Sequence, residues 1–479
     1  MDLIKKLGAF SIGPIVSAFI GFITVPLVTN FISPEEYGKA SMFSLVQGIL
    51  SMIIYLGMDQ AFVREFFVFP KNKKNHLMAN AMILPLFFVL VLEILLFIFR
   101  YRLSFWMFSS KDEIISVYIL MALLPIMIVE TFSLFKIRLE EKGLQYSLYI
   151  IALKLMILIL TILLFTIYEK SFRAVVYALG LAEIFIGIIL YFTVMKKQKL
   201  SKQTFDFDLI VRMLKFGLPL IPASLMIWIL NSMDKVMLKE FYNFEALGIY
   251  SAAFKIITVL SIIQTCFRLF WTPIANKWNE EGKELKYFTF IAKLLSLVMF
   301  LTFLLILIFK DIIIIILSKD YREAVYVVPF LLLYPIMSTI CEITFLGIIF
   351  ARKTFFTLII SSITAVTNIV LNFLLIHKYS AVGAAIATGI SYTIYFWIGT
   401  LISRKLWYNF SLKPYVILTL IMLLNSTVHV ILDNYIPHVI SVLSAVLYLI
   451  ANKQFIFTHA KTLFAELRNK KEVLENEIN

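Results

Sequence analysis

The sequence predicts an all-α integral membrane protein of about fourteen transmembrane helices: two parallel six-helix lobes around a central cavity, plus two appended C-terminal helices. Three observations carry that expectation. The 479 residues are 61% hydrophobic and 15% charged, with a mean hydropathy of +0.92, which is more apolar surface than a soluble core can bury. Apolar runs near or above the ~20 residues that cross ~30 Å of hydrocarbon recur from end to end. The first half of the chain is also repeated in the second at a spacing of about 210 residues.

The first apolar run starts near Leu7, behind Lys5 and Lys6. It is too long for a signal-peptide core and lacks a small-residue cleavage site, so it reads as a retained span. Five more runs, from near Ser41, Leu77, Ile114, Tyr146 and Phe172, complete the first lobe, residues 1–200. The polar linker Ser201–Arg212 is expected to form a short surface helix leading into the second lobe. That lobe reaches residue 408, with spans from near Met213, Phe244, Phe288, Glu323, Phe355 and Ala381. Runs from near Pro414 and Pro437 have no counterpart in the first lobe; they make an appended pair over 409–458, before a charged tail over 459–479.

The repeat aligns Lys6 with Lys215 and Gly8 with Gly217. After a one-residue insertion it aligns Phe31 with Phe241, Glu35 with Glu245, Gly38 with Gly248 and Ser41 with Ser251. Six spans separate the two starts, and an even number returns the chain to the same side. The copies are therefore parallel, related by an axis along the membrane normal, as in transporters. Loops on the side of the N-terminus carry roughly 28 Lys and Arg against about 12 on the other, which puts both termini in the cytoplasm.

The net charge of +14 falls largely in short loops such as Lys71–His76 and Lys196–Lys202, placed to face anionic headgroups; nucleic acid is not an expected partner. Cys266 and Cys341 lie inside spans without a metal or redox spacing, and the five histidines are scattered. No disulfide, metal or other cofactor is expected.

Helix breakers recur at equivalent points of the repeat, in KLGAFSIGPIVS (Lys6–Ser17) and LKFGLPLIPASL (Leu214–Leu225). Proline removes a backbone donor and kinks a helix, so Gly13, Pro14, Pro219 and Pro222 are predicted hinges beside the central cleft. The alternative for Pro219 and Pro222 is that they only start a helix, where proline is tolerated.

A charge in hydrocarbon needs a partner or a wet cavity. The intramembrane candidates are Lys154, Lys255, Arg268 and Lys293, and the acids Asp59, Glu93, Glu130, Glu183 and Glu342. Arg268, Asp59, Lys293, Glu130 and Glu342 lie toward the cytoplasmic side, where anchoring is the simplest reading. Lys154, Lys255 and Glu183 lie deeper and are expected to line a cavity. Lys255 reads as an anion-binding group in preference to half of a buried ion pair, whereas Lys154 either binds an anion or is neutralised by Glu183. Asp206-Phe-Asp208 imitates the DxD of glycosyltransferases without a nucleotide-binding domain around it. Tyr55, one turn before Asp59, is a weak candidate for sugar stacking.

The stretch from KLGAFSIGPIVS through NFISPEEYGKASMF, then MDQAFVREF, LKFGLPLIPASL, DKVML, EALGIYSAA and FRLFWTP, resembles the polysaccharide biosynthesis flippases of the multidrug/oligosaccharidyl-lipid/polysaccharide exporter superfamily. The resemblance covers essentially the whole chain through loose patterns of Gly, Pro and aromatics. It implies a bacterial inner-membrane flippase that moves an undecaprenyl-diphosphate-linked oligosaccharide to the outer leaflet, with the lipid bilayer and polysaccharide polymerase machinery as partners. On that reading Lys255, Lys154, Arg268, Lys293 and Arg64 contact substrate, while Glu183, Glu93 and Asp59 couple an ion or pair a cation. Two relatives fit less well. No acid occurs between Asp2 and Glu35, where multidrug antiporters often carry one, and the first helix lacks the Arg-Asp pair of lipid II flippases. Short outward loops without a paired-carboxylate or nucleophile arrangement argue against an enzyme.

Overall fold

A computed structural model describes residues 2–196, 205–353 and 355–455, and its described elements are all helical. The first lobe comprises α1 (Asp2–Thr29), α2 (Pro34–Tyr55), the short α3 (Met58–Glu65), α4 (Lys74–Ile98), the short α5 (Arg100–Phe108), α6 (Ile114–Leu139), α7 (Gly143–Ile167) and α8 (Phe172–Leu190). The second comprises α9 (Phe207–Gly217), α10 (Ile221–Phe241), α11 (Phe244–Ile257), α12 (Leu260–Glu280), α13 (Leu285–Ile315), α14 (Ala324–Leu331), α15 (Leu333–Thr344), α16 (Leu346–Phe350) and α17 (Phe355–Leu406). The appended pair is α18 (Lys413–Ile431) and α19 (Ile436–Ala451). Most of the linker's first residues, most of the Lys196–Lys202 loop and the tail 459–479 lie outside the described residues, as do the side chains of Lys5 and Lys6.

The repeat is visible in how the helices start. Ser33 caps α2 by accepting a hydrogen bond from Glu36 N, and its repeat equivalent Asn243 caps α11 by accepting one from Ala246 N. With Pro34 at the first turn and Glu35 and Glu36 favouring the positive helix end, α2 begins at Pro34 rather than near Ser41. The polar first turn had hidden that start. Packing repeats as well: α1 against α7 and α6 against α8 in the first lobe correspond to α10 and α15 against α17 in the second.

Among the described residues eleven helices are long and apolar enough to cross a membrane, or twelve if the bent pair α9–α10 counts as one span, against the fourteen expected. The difference lies in two places. α17 runs for 52 residues, about 78 Å at the usual rise, too long for one crossing, and it breaks at Ser380, where φ is 50° and ψ is −132°. That break falls beside the expected start of a span at Ala381. α19 has only 16 residues, short of the length a straight crossing needs. Apolar side chains such as Phe87, Leu90 and Ile94 on α4 and Leu443 and Leu447 on α19 are left exposed, as suits contact with lipid.

Two seams join the lobes. At one end α2 packs on α11 with no room for a side chain at Gly38 or Gly248. A Cβ on Gly38 would strike the carbonyl of Phe244, and one on Gly248 that of Pro34. Pro34 and Phe244 are themselves repeat equivalents, so the contact is reciprocal about the pseudo-twofold axis. Near this end Tyr321 donates to Ile32 O at 3.1 Å, with its hydroxyl pKa raised by burial, and Trp106 Nε1 donates to Glu240 at 2.7 Å. At the other, more basic end, Gly57, with φ of 72°, meets the backbone of Gly217.

Candidate functional site

Between the two seams lies a cavity of about 390 Å³, walled by α1, α2, α7 and α8 of the first lobe and α10 and α11 of the second. Three lysines open onto it: Lys154 from α7, Lys235 from α10 and Lys255 from α11. Among the described residues no carboxylate lies within ion-pair distance of any of the three. Lys255 feels the charges of both Lys154 and Lys235. The remaining lining is hydroxyls and aromatic or small residues: Ser41, Ser44, Ser232, Ser251, Tyr37, Trp228 and Phe254, with Lys235 4.8 Å from the centre of the Phe254 ring. Three like charges held together, none of them in an ion pair among the described residues, can serve a polyanion, because hydrogen bonds between ionised partners replace the water that the anion gives up.

Lys235 is held in place through its neighbour. Asp234 is 1% exposed and points into the second lobe, where its carboxylate accepts hydrogen bonds from the hydroxyls of Tyr250 and Thr388, each at 2.5 Å, and from the amide of Asn372. That network fastens α10 to α11 and to both halves of α17. Sequence reasoning missed Lys235. The signal was present, since Asp234-Lys235 interrupts an apolar run in NSMDKVML.

The other expected site residues separate. Lys154 and Lys255 do share the cavity, as anticipated, but Glu183 is not an ion-pair partner of Lys154; its carboxylate accepts from Gln47 Nε2 at 2.7 Å. Glu183 and Glu130 are nevertheless close enough to Lys154 to feel its charge. Arg268 turns to Glu342, with Nη2 2.6 Å from Oε1. Lys293 lines a different cavity, of about 200 Å³, with Trp407 and Tyr408 against the appended pair. Arg64 stacks on Phe216, 4.3 Å from the ring centre, at the basic seam. Asp59 accepts from Gln60, and Glu93 sits half-buried on α4 away from the lysines.

The breakers are not equivalent in use. α1 passes through Gly13 and Pro14 as one helix, and Gly13 is a close-packing position: its N–H donates to Ser147 Oγ at 3.0 Å, and a Cβ there would strike Ser147. Pro14 lines a gap of about 240 Å³ between α1 and α12. In the second copy Pro219 and Pro222 occupy first-turn positions of successive helical segments, and the axis bends by 46° across them. Asp206 accepts from Leu209 N as the N-cap of α9, which gives half of the DxD-like triplet a structural task. Tyr55 donates to Met127 O at 3.0 Å and pins α2 to α6.

The family described as polysaccharide biosynthesis protein matches residues 3–269. No curated protein sequence matches the chain. Among solved structures, the lipid II flippase MurJ in an inward closed conformation is similar over 93% of this chain and 99% of its own, at 17% identity and a TM-score of 0.72. An inward-facing multidrug resistance transporter of the MATE family is similar over 81% of this chain and 94% of its own, at 15% identity and a TM-score of 0.66. A MOP superfamily transporter from Pyrococcus furiosus, described as having a binding pocket of reverse polarity, aligns over 84% and 95% at 15% identity, with a TM-score of 0.53. At these identities the likeness shows the fold, which is that of MOP transporters.

Proposed function

Since this chain belongs to the polysaccharide biosynthesis protein family, a family of multi-pass membrane proteins with the MOP transporter fold, we propose that it is a flippase for an undecaprenyl-diphosphate-linked oligosaccharide. One observation carries the reading: three lysines without carboxylate partners meet in a cavity built from both lobes. A diphosphate cannot cross hydrocarbon unaided, and these lysines supply the charge that receives it while the prenyl chain stays in lipid. The lobes, 1–200 and 201–408, rock about the two seams so that the cavity opens to each leaflet in turn, with the bend at Pro219 and Pro222 and the gap at Pro14 as the places that yield. The helices 409–458 travel with the second lobe.

The excess of Lys and Arg in the loops at the basic end supports that end, with both termini, as the cytoplasmic one, and the flippase reading itself implies a bacterial inner membrane. Transport then runs toward the outer leaflet, where polysaccharide polymerase machinery takes the product. An organic-cation exporter is disfavoured by the same lysines, which would repel its cargo.

The test is flipping of a fluorescent polyprenyl-diphosphate oligosaccharide by purified protein in liposomes. A variant with Lys154, Lys235 and Lys255 all changed to Gln should reconstitute normally and fail to flip. Unchanged flipping by that variant would remove the basis for the assignment.

A further inference from the structure

A second cavity, about 440 Å³, lies wholly within the second lobe, and its chemistry differs from that of the lysine cavity. Tyr334, Tyr392 and Tyr395 line it, with ring centres 4.5 Å apart for the first pair and 6.0 Å for the second. Its charges cancel within one ion pair, Arg268 with Glu342. Three donors converge on Glu342 Oε1: Arg268 Nε at 2.9 Å, Arg268 Nη2 at 2.6 Å and Gln264 Nε2 at 2.7 Å. Among the described residues Glu342 Oε2 and Arg268 Nη1 therefore keep their hydrogen-bonding capacity for something else.

An acceptor and a donor fixed side by side, next to tyrosine rings, match adjacent hydroxyls and the apolar C–H face of a pyranose. An anion would meet Glu342, and a cation would meet Arg268. A purely apolar ligand would leave the ion pair unsolvated, which is costly. A neutral sugar avoids all three penalties.

We propose that this cavity is a subsite for the neutral sugars of the cargo. The proposal rests on the flippase reading and refines it. The two cavities share a thin wall: Phe254 lines the lysine cavity and stacks on Tyr334 of the second cavity at 5.7 Å, with the rings 6° from parallel. On α10, Asn231 opens to one side of that wall and Lys235 to the other. A diphosphate among the lysines thus leaves its attached sugars beside the tyrosines.

The experiment is saturation-transfer NMR on the full chain in nanodiscs. The probes are a panel of neutral di- and trisaccharides of gluco, galacto, manno and N-acetylated configuration, with an acidic uronate trisaccharide for comparison. At least one neutral saccharide should receive transfer, and more strongly than the uronate. Glu342→Gln should weaken its binding at least about tenfold, the lower end of the loss for one hydrogen bond to a charged group. Tyr395→Ala should abolish it and Tyr395→Phe should keep it; thermal unfolding identifies any variant that fails to fold, in which case Glu342→Gln decides. No transfer from any neutral sugar, stronger transfer to the uronate, or binding indifferent to Glu342→Gln would overturn the subsite. Binding of inorganic pyrophosphate, measured in parallel, should be lost in Lys235→Gln with saccharide binding intact. Failure of that arm alone would count against the diphosphate reading and leave the sugar subsite standing.

Discussion

Asp234 and Lys235 are adjacent in sequence but serve opposite sides of α10: the carboxylate is buried in the second lobe on Tyr250 and Thr388, and the ammonium opens into the cavity between lobes. Consecutive helical side chains diverge by about 100°, so the carboxylate and the ammonium meet different partners. Tyr250→Phe removes one donor from the carboxylate and should cost about 1–3 kcal/mol of stability, visible as a lower unfolding temperature in detergent. Flipping per folded molecule should fall less than in Lys235→Gln. A larger fall than in Lys235→Gln would mean that the network does more than hold α10 in place.

The cavity lysines should act through charge. Lys255→Gln is expected to slow flipping at least about tenfold, and Lys255→Arg to restore most of it, since one charge-assisted hydrogen bond contributes about 1.5–3 kcal/mol. Lys235→Glu should be worse than Lys235→Gln, because the new acid would pair with Lys255 or Lys154. Equal rates for Gln and Arg at position 255 would show that shape and not charge matters there.

On the proposed rocking motion the glycine seam is the contact that closes the end opposite the basic loops. Gly38→Ala or Gly248→Ala forces a methyl against a backbone carbonyl, and such overpacking typically costs about 1–3 kcal/mol. Each should part α2 from α11 and raise the labelling of a cysteine at Ser44 by an impermeant maleimide added from the end opposite the basic loops, with Cys266 and Cys341 replaced by Ser. Labelling that stays at the starting level would remove the seam from the gating scheme.

Membrane potential should suffice as a driving force. Two negative charges moving outward through an inside-negative potential of ~100 mV gain at most ~4–5 kcal/mol, less whatever the accompanying lysines return. Glu183, already occupied by Gln47, is then structural, so Glu183→Gln should keep transport, and valinomycin-set potentials should change the flipping rate without a proton or Na⁺ gradient. Transport that ignores potential, requires an ion gradient and fails in Glu183→Gln would make this carboxylate the coupling site.

The parts of the architecture legible in the sequence are those where one property dominates. Apolar length announces the spans, and the helix break at Ser380 adjoins the boundary read at Ala381, because the hydrocarbon limits the length of any crossing. Lys154 and Lys255 were legible since each stands alone among apolar neighbours. Lys235 was not, because a neighbouring acid masks it until the helix shows which way each side chain points. The close packing at Gly13 was not legible for a related reason: glycine signals freedom in a sequence, whereas against Ser147 it also marks lack of space. Arg268 and Glu342 are 74 residues apart, and no local pattern brings them together.

The reciprocal contact of Gly38 and Gly248 also bears on ancestry. Two copies of one six-helix chain meeting about a twofold axis would make both carbonyl contacts with a single glycine, since such an axis turns every contact into two. The seam preserves inside one polypeptide the geometry of a self-complementary dimer. Away from it the halves have diverged: the repeat partner of Lys255 is Leu45, so two of the three cavity lysines, Lys235 and Lys255, stand in the second copy and Lys154 in the first. Duplication accounts for the symmetric seam between the lobes, and later divergence of both copies for the lysines of the cavity beside it.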